Sequence, residues 1–259
     1  MSSDDIFASP YSLLDEAKEC VDHVERLQRA YIGSNAIREV RYENPESGFE
    51  VVALRLVDAI PPRLSAKASG AINNLRHALD QGLWQSIRAT SGEPAKDTYF
   101  PFAESIPDLN GRLRQLEGLG LHPDISDVIR KHKPWKRGKD TPDANVVLRA
   151  VGSFAATKHR ENLGVNVNSN SIHAKFMASS GHVPCMGIGS WDRGNNEIKL
   201  GEVGAGGDIK YKIEIPFYVC INRIDDLDGV PLLPFLVEAL KQVRALADEL
   251  KAETIRITK

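Results

Sequence analysis

The stretch "INNLRHALDQGLWQSI" (72–87) reads as an amphipathic helix, yet it carries two charged residues where the helix should be apolar. With Ile72 at zero on a wheel of about 100° per residue, Leu75, Leu79, Leu83 and Ile87 span roughly 300° through 60°. Arg76 falls at about 40° and Asp80 at about 80°, both among apolar neighbours, with Trp84 farther along at about 120°. Asn74, Gln81, Gln85 and Arg88 take the opposite side, and His77 sits near the boundary. Arg76 and Asp80 are four residues apart and can pair along the helix. One carboxylate does not satisfy a guanidinium's five donors, so a further group should join them.

A second helix, 144–160, repeats the anomaly. Ala144, Val147, Leu148, Val151, Phe154 and Ala155 form its apolar arc. Lys158 falls inside that arc, His159 at its edge, and Arg160 points away; cations at a helix C-terminus also suit the macrodipole. Convergence of Arg76, Asp80, Lys158 and His159 would make one polar cleft between the two helices. Asp80 would orient His159, and Arg76 and Lys158 would hold an anion. That suits a phosphate-bearing ligand, or general acid–base chemistry on one, with Arg76, Asp80 and His159 as catalytic candidates. The competing reading is an ion-pair network that ties two helices together.

Three short motifs, "NNLRHALDQ", "YFPF" some twenty residues on, and "KHREN" after another helix, resemble those of a broad group of uncharacterised bacterial proteins. That group carries an LRxALD helix, an FP-containing segment and a KHR ending a later helix. The resemblance covers roughly 10–165. It implies that 72–87 and 144–160 are partners in one fold and implies no activity. A second resemblance is to small helical ribonucleases of the HEPN type, which place a His four to six residues after an Arg on one helix. Here Arg149 to His159 is too long and Arg130 to His132 too short, so an Arg76/His159 pair would imitate that site only from two helices.

Other signals point to binding. "RKHKPWKRGK" (130–139) sets Arg130, Lys131, Lys133, Lys136, Arg137 and Lys139 around Trp135. Such a run can track a phosphate backbone and stack a base, or simply be a solvated loop. "HVPC" (182–185) has a spacing metals use, with His173 and Cys220 elsewhere, but no second close pair completes a zinc set, so no metal and no cofactor is expected. "GIGSW" and "GEVGAGGD" lie between strand-like runs, where hairpin turns explain them. "GSF" (152–154) falls within a helix, not at the strand-to-helix turn a nucleophile elbow needs.

These residues need elements to position them. Residues 10–31 and 230–252 read as long amphipathic helices. Strand-like runs flank "NPESG" within 36–58, giving a β-hairpin. The run 92–111 is mostly loop with a short strand at 99–102, followed by short helices at 107–117 and 123–132. Between 163 and 222, alternating runs give four to six antiparallel strands. The fold class is therefore α+β: a bundle of long helices, an N-terminal β-hairpin and a C-terminal antiparallel sheet, in one domain over 1–259.

Composition sets the outer bounds. The chain has 259 residues, 42% hydrophobic and 26% charged, with a net charge of −2, so no global basic footprint points to nucleic acid or a membrane surface. Three widely spaced cysteines fit a reducing cytoplasm. Neither a signal peptide nor a bilayer-length apolar run is read, so the expected protein is soluble and cytoplasmic. Three functions remain open: a binding or interaction module, with homo-oligomerisation through the long helices; a nucleic-acid or nucleotide binder using 130–139 and the Arg76/Lys158 cleft; and a metal-independent nuclease with His159 as acid–base.

Overall fold

The fold is α+β. The computed structural model describes residues 6–34, 36–92, 98–156, 165–169, 173–183, 185–186, 191–192, 194–214, 217–222 and 227–259. Its helices are α1 (Ala8–Ile32), α2 (Pro62–Ser91), α3 (Ile106–Gly118), α4 (Pro123–Lys131), α5 (Val146–Ala156) and α6 (Leu232–Thr258). Its strands are β1 (Ile37–Glu43), β2 (Glu50–Leu56), β3 (Val165–Ser169), β4 (His173–Ser180), β5 (Cys185–Met186), β6 (Glu197–Val203), β7 (Asp208–Glu214) and β8 (Phe217–Ile221). Among the described residues no helix is long and apolar enough to cross a membrane. The chain groups into two compact units, one of residues 1–24, 65–163 and 233–259, the other of 25–64 and 164–232.

The first unit is helical. Its core takes one face of each helix: Leu14, Ala17 and Val21 of α1, Leu75, Leu79 and Leu83 of α2, and Leu236, Val243 and Leu250 of α6 are fully or almost fully buried. These are the 3.6-period apolar positions, and burying them is what holds helices this long in place. Gly82 of α2 packs toward Leu250 and Phe7, which lie 3.7 and 3.9 Å from where a Cβ would stand. Polar ties run between the same helices: Arg244 donates to Asp15 at 2.7 Å, and the buried Thr254 hydroxyl to Ser86 Oγ at 2.8 Å. Helix α3 starts on Ser105, whose side chain accepts from Asp108 N–H, with Pro107 in the first turn, a common helix-start pattern.

The second unit is the β-rich one. The hairpin expected around "NPESG" is β1–β2, in register from Ile37↔Leu56 to Glu43↔Glu50. β6 and β5 extend it into a four-stranded sheet of order β1-β2-β6-β5, while β3 pairs with β8 and β4 with β7, all antiparallel. Among the described residues, two of the C-terminal strands thus join the hairpin's sheet and the other four pair two by two. The Gly204–Gly207 stretch links β6 to β7, two strands of different ladders. Glu197 is a buried carboxylate in the four-stranded sheet. It accepts from the Tyr42 hydroxyl at 2.5 Å and from Arg55 at 2.6 and 2.8 Å, so its charge is matched within the sheet.

The expected strand at 99–102 is absent. The segment is extended, but the Phe100 N–H goes to a side chain instead of a ladder, and the pairing nearby among the described residues is one parallel bridge, Ala103↔Trp135.

Candidate functional site

Arg76 and Asp80 lie on the inward side of α2, each about five-sixths buried. Arg76 Nε donates to both Asp80 oxygens, at 3.1 and 3.0 Å. The group that joins the pair is a donor to Asp80 and not a further acceptor for Arg76: Phe100 N–H reaches Asp80 Oδ1 at 2.7 Å. The Arg76 guanidinium carbon lies 4.4 Å from the centroid of the Phe102 ring, a cation–π contact that covers its flat face with an apolar surface. Asp80 thus clips the segment 98–105 to α2, and Arg76 both neutralises Asp80 and roofs Phe102.

The same segment is held from its other sides. A Cβ at Gly152 in the middle of α5 would lie 2.6 Å from Phe102 Cδ1 and 2.8 Å from Cδ2, so only glycine lets α5 meet that ring. Phe100 and Phe102 pack 4.8 Å apart at a tilt of 57°. Ala103 exchanges backbone bonds with the 134–136 loop, accepting from Lys136 N–H and donating to Pro134. Glu104 N–H donates to Asp108 Oδ2 at 2.9 Å, and Arg112 Nε to Asp108 Oδ1 at 3.1 Å. Those two bonds hold the Asp108 carboxyl below the usual carboxylate range.

Between α2, the 98–105 segment, α3 and α5 opens a cleft of about 470 Å³. Arg76, Arg112 and Arg149 line it, one from each helix; Tyr99, Pro101 and Leu116 give it apolar surface, and Glu104 stands at its side. Each arginine has a carboxylate partner, and the pairs differ in exposure. Arg149 is 18% exposed, whereas its partner Glu104 is 62% exposed. Arg149 is also anchored by Ser153, to whose hydroxyl it donates at 2.5 Å. Its Nε is buried, with no hydrogen-bond partner among the described residues. Tyr99 is the most exposed of the large aromatics that border the cleft.

Of the residues read from the sequence as site candidates, Arg76 and Asp80 are together and Arg76 faces the cleft. Lys158 and His159 lie outside the described residues. The basic run is not a free cationic stripe. Lys131 donates to Glu249 at 2.8 Å, Lys133 to Asp143 at 2.6 Å, Arg130 to Asp127 at 2.6 Å and Arg137 to the Pro142 carbonyl at 3.3 Å. Lys136 and Lys139 are exposed. Trp135 is buried beside Ala103, so its ring is not presented to a base. No group of three His, Cys, Asp or Glu side chains that could hold a metal occurs among the described residues. Sequence reasoning missed Arg112, Arg149, Glu104 and Tyr99; the "YFPF" run beside a glycine-bearing helix was the available signal.

No protein-family model, curated protein or solved structure matches the chain.

Proposed function

We propose that this protein is a binding module of the bacterial cytoplasm whose cleft takes a small ligand bearing an oxyanion, a carboxylate or a phosphate. One observation carries the reading: three helices each send an arginine to one cleft, and the guanidinium of Arg149 is largely removed from water. Oxyanions bound by arginine in a partly desolvated cleft are held by short, charge-assisted hydrogen bonds worth about 1.5–3 kcal/mol each. Arg76 and Asp80 act as the brace that shapes the cleft, since Asp80 is occupied by Arg76 and by the Phe100 N–H. The three cysteines, few and widely spaced, support the cytoplasmic placement, and the LRxALD, FP and KHR motifs support the bacterial one.

The test is an amide chemical-shift titration of the full chain with sodium benzoate and with inorganic phosphate. Saturable shifts around Tyr99, Arg112 and Arg149 are expected with at least one probe, and their loss in Arg149→Met. Shifts confined to the 130–139 loop would instead favour nucleic-acid binding, and loss of the Tyr99, Arg112 and Arg149 response to both probes would refute the reading.

A further inference from the structure

Resting on that reading, we infer that Glu104 occupies the place of the ligand's anionic group on Arg149, and that the cleft selects a small aromatic monocarboxylate that displaces it. The two partners of this pair are unequally fixed. Arg149 is built into the cleft wall by its Ser153 bond and by the close approach of α5 to Phe102 at Gly152. Glu104 reaches it from solvent with a side chain that is mostly exposed. When the pair opens, the guanidinium stays and the carboxylate swings into water, where its own solvation costs nothing further. An exposed carboxylate on a buried arginine is the arrangement a ligand carboxylate would reproduce.

Charge and shape define the class. With Glu104 displaced, the cleft keeps Arg76, Arg112 and Arg149 against Asp80 and Asp108, leaving one uncompensated positive charge. A monoanion neutralises it; a dianionic phosphate overshoots it. The exposed Tyr99 ring, Pro101 and Leu116 offer apolar surface for the body of the ligand. A volume of about 470 Å³ holds a single aromatic acid with room to spare.

The experiment compares benzoate and inorganic phosphate titrations of the wild type and of Glu104→Gln, both as the full chain, with circular dichroism confirming that the variant is folded. Glutamine keeps the size of the side chain and removes its charge. Benzoate is expected to bind Glu104→Gln up to about fivefold more tightly than the wild type, the effect of removing one partly exposed ion pair, and phosphate more weakly than benzoate to both. Equal benzoate affinities, with the cleft shifts retained, would overturn the displacement while leaving the binding reading standing. Tighter binding of phosphate than of benzoate by Glu104→Gln would overturn the monocarboxylate assignment. Failure of both probes to bind the variant, in which Arg149 is no longer occupied by a carboxylate, would overturn this inference and the binding reading together.

Discussion

Removing the carboxylate at position 80 is the most informative perturbation. Asp80→Ala takes away the partner of a guanidinium that is about five-sixths buried and orphans the Phe100 N–H, whose residue is 2% exposed. An orphaned buried N–H costs about 1–3 kcal/mol. An arginine left without its carboxylate costs about 3–5 kcal/mol when fully buried, and less here because the site keeps some contact with water. We take about 3–4 kcal/mol for the single change, allowing for overlap between the two effects. Arg76→Met should cost less, about 2 kcal/mol, because Asp80 keeps the Phe100 bond and methionine still covers Phe102. The double variant Arg76→Met/Asp80→Ala carries no charge into the cleft and leaves one unpaired N–H, so it should cost only about 1–2 kcal/mol. The singles would then be coupled by about 3–5 kcal/mol. Urea unfolding followed by tryptophan fluorescence reads all three, since Trp84 sits on α2 and Trp135 on the loop bridged to Ala103. Additive single effects, or a loss below about 1 kcal/mol for Asp80→Ala, would refute the clip.

Other outcomes follow from the same geometry. Gly152→Ala should destabilise despite the better helix propensity of alanine, because the new methyl meets the Phe102 ring; overpacking of about 1–3 kcal/mol exceeds a propensity gain of about 0.5–1 kcal/mol, and thermal unfolding measures the difference. Asp108→Asn should cost about 1 kcal/mol at neutral pH. Because the Glu104 N–H and Arg112 lower the pKa of folded Asp108, its contribution is present above the ordinary 3.8 and lost as pH falls from there, so acid unfolding of the variant should be flatter in that range. Tyr42→Phe should cost about 1–2 kcal/mol by withdrawing a donor from buried Glu197. Burial, aided by that bond, raises the Tyr42 phenol from 10.0 to about 12, so its contribution is complete below pH 10 and declines toward pH 12 in the wild type only; stability curves against pH would show it.

Much of the architecture was legible because periodicity is a local property. The apolar spacing along 10–31, 72–87 and 230–252 marks the buried faces of α1, α2 and α6, and those helices run on beyond the expected limits, to Ala8, Pro62 and Thr258, because propensity and end packing carry them. "NPESG" between two alternating runs marks the β1–β2 hairpin. Arg76 and Asp80 stand out on the wheel because a charge on an apolar face demands a partner wherever the chain goes.

The identity of that partner was decided only in the tertiary structure. A backbone N–H has no signature in the sequence, so nothing at Phe100 announces that it will satisfy Asp80 twenty residues away. Trp135 is buried and Lys131 pairs with Glu249, 118 residues distant, and neither was legible, because charge read along a chain omits the carboxylates that folding brings beside it. Strand partners likewise depend on long-range register, so β6 joins the N-terminal hairpin and not its neighbours in sequence. Local spacing along the chain thus marks which residues are buried and which charges need a partner. The tertiary structure decided what answers them, because hydrogen bonds and ion pairs close between atoms that only the fold brings to within 3 Å.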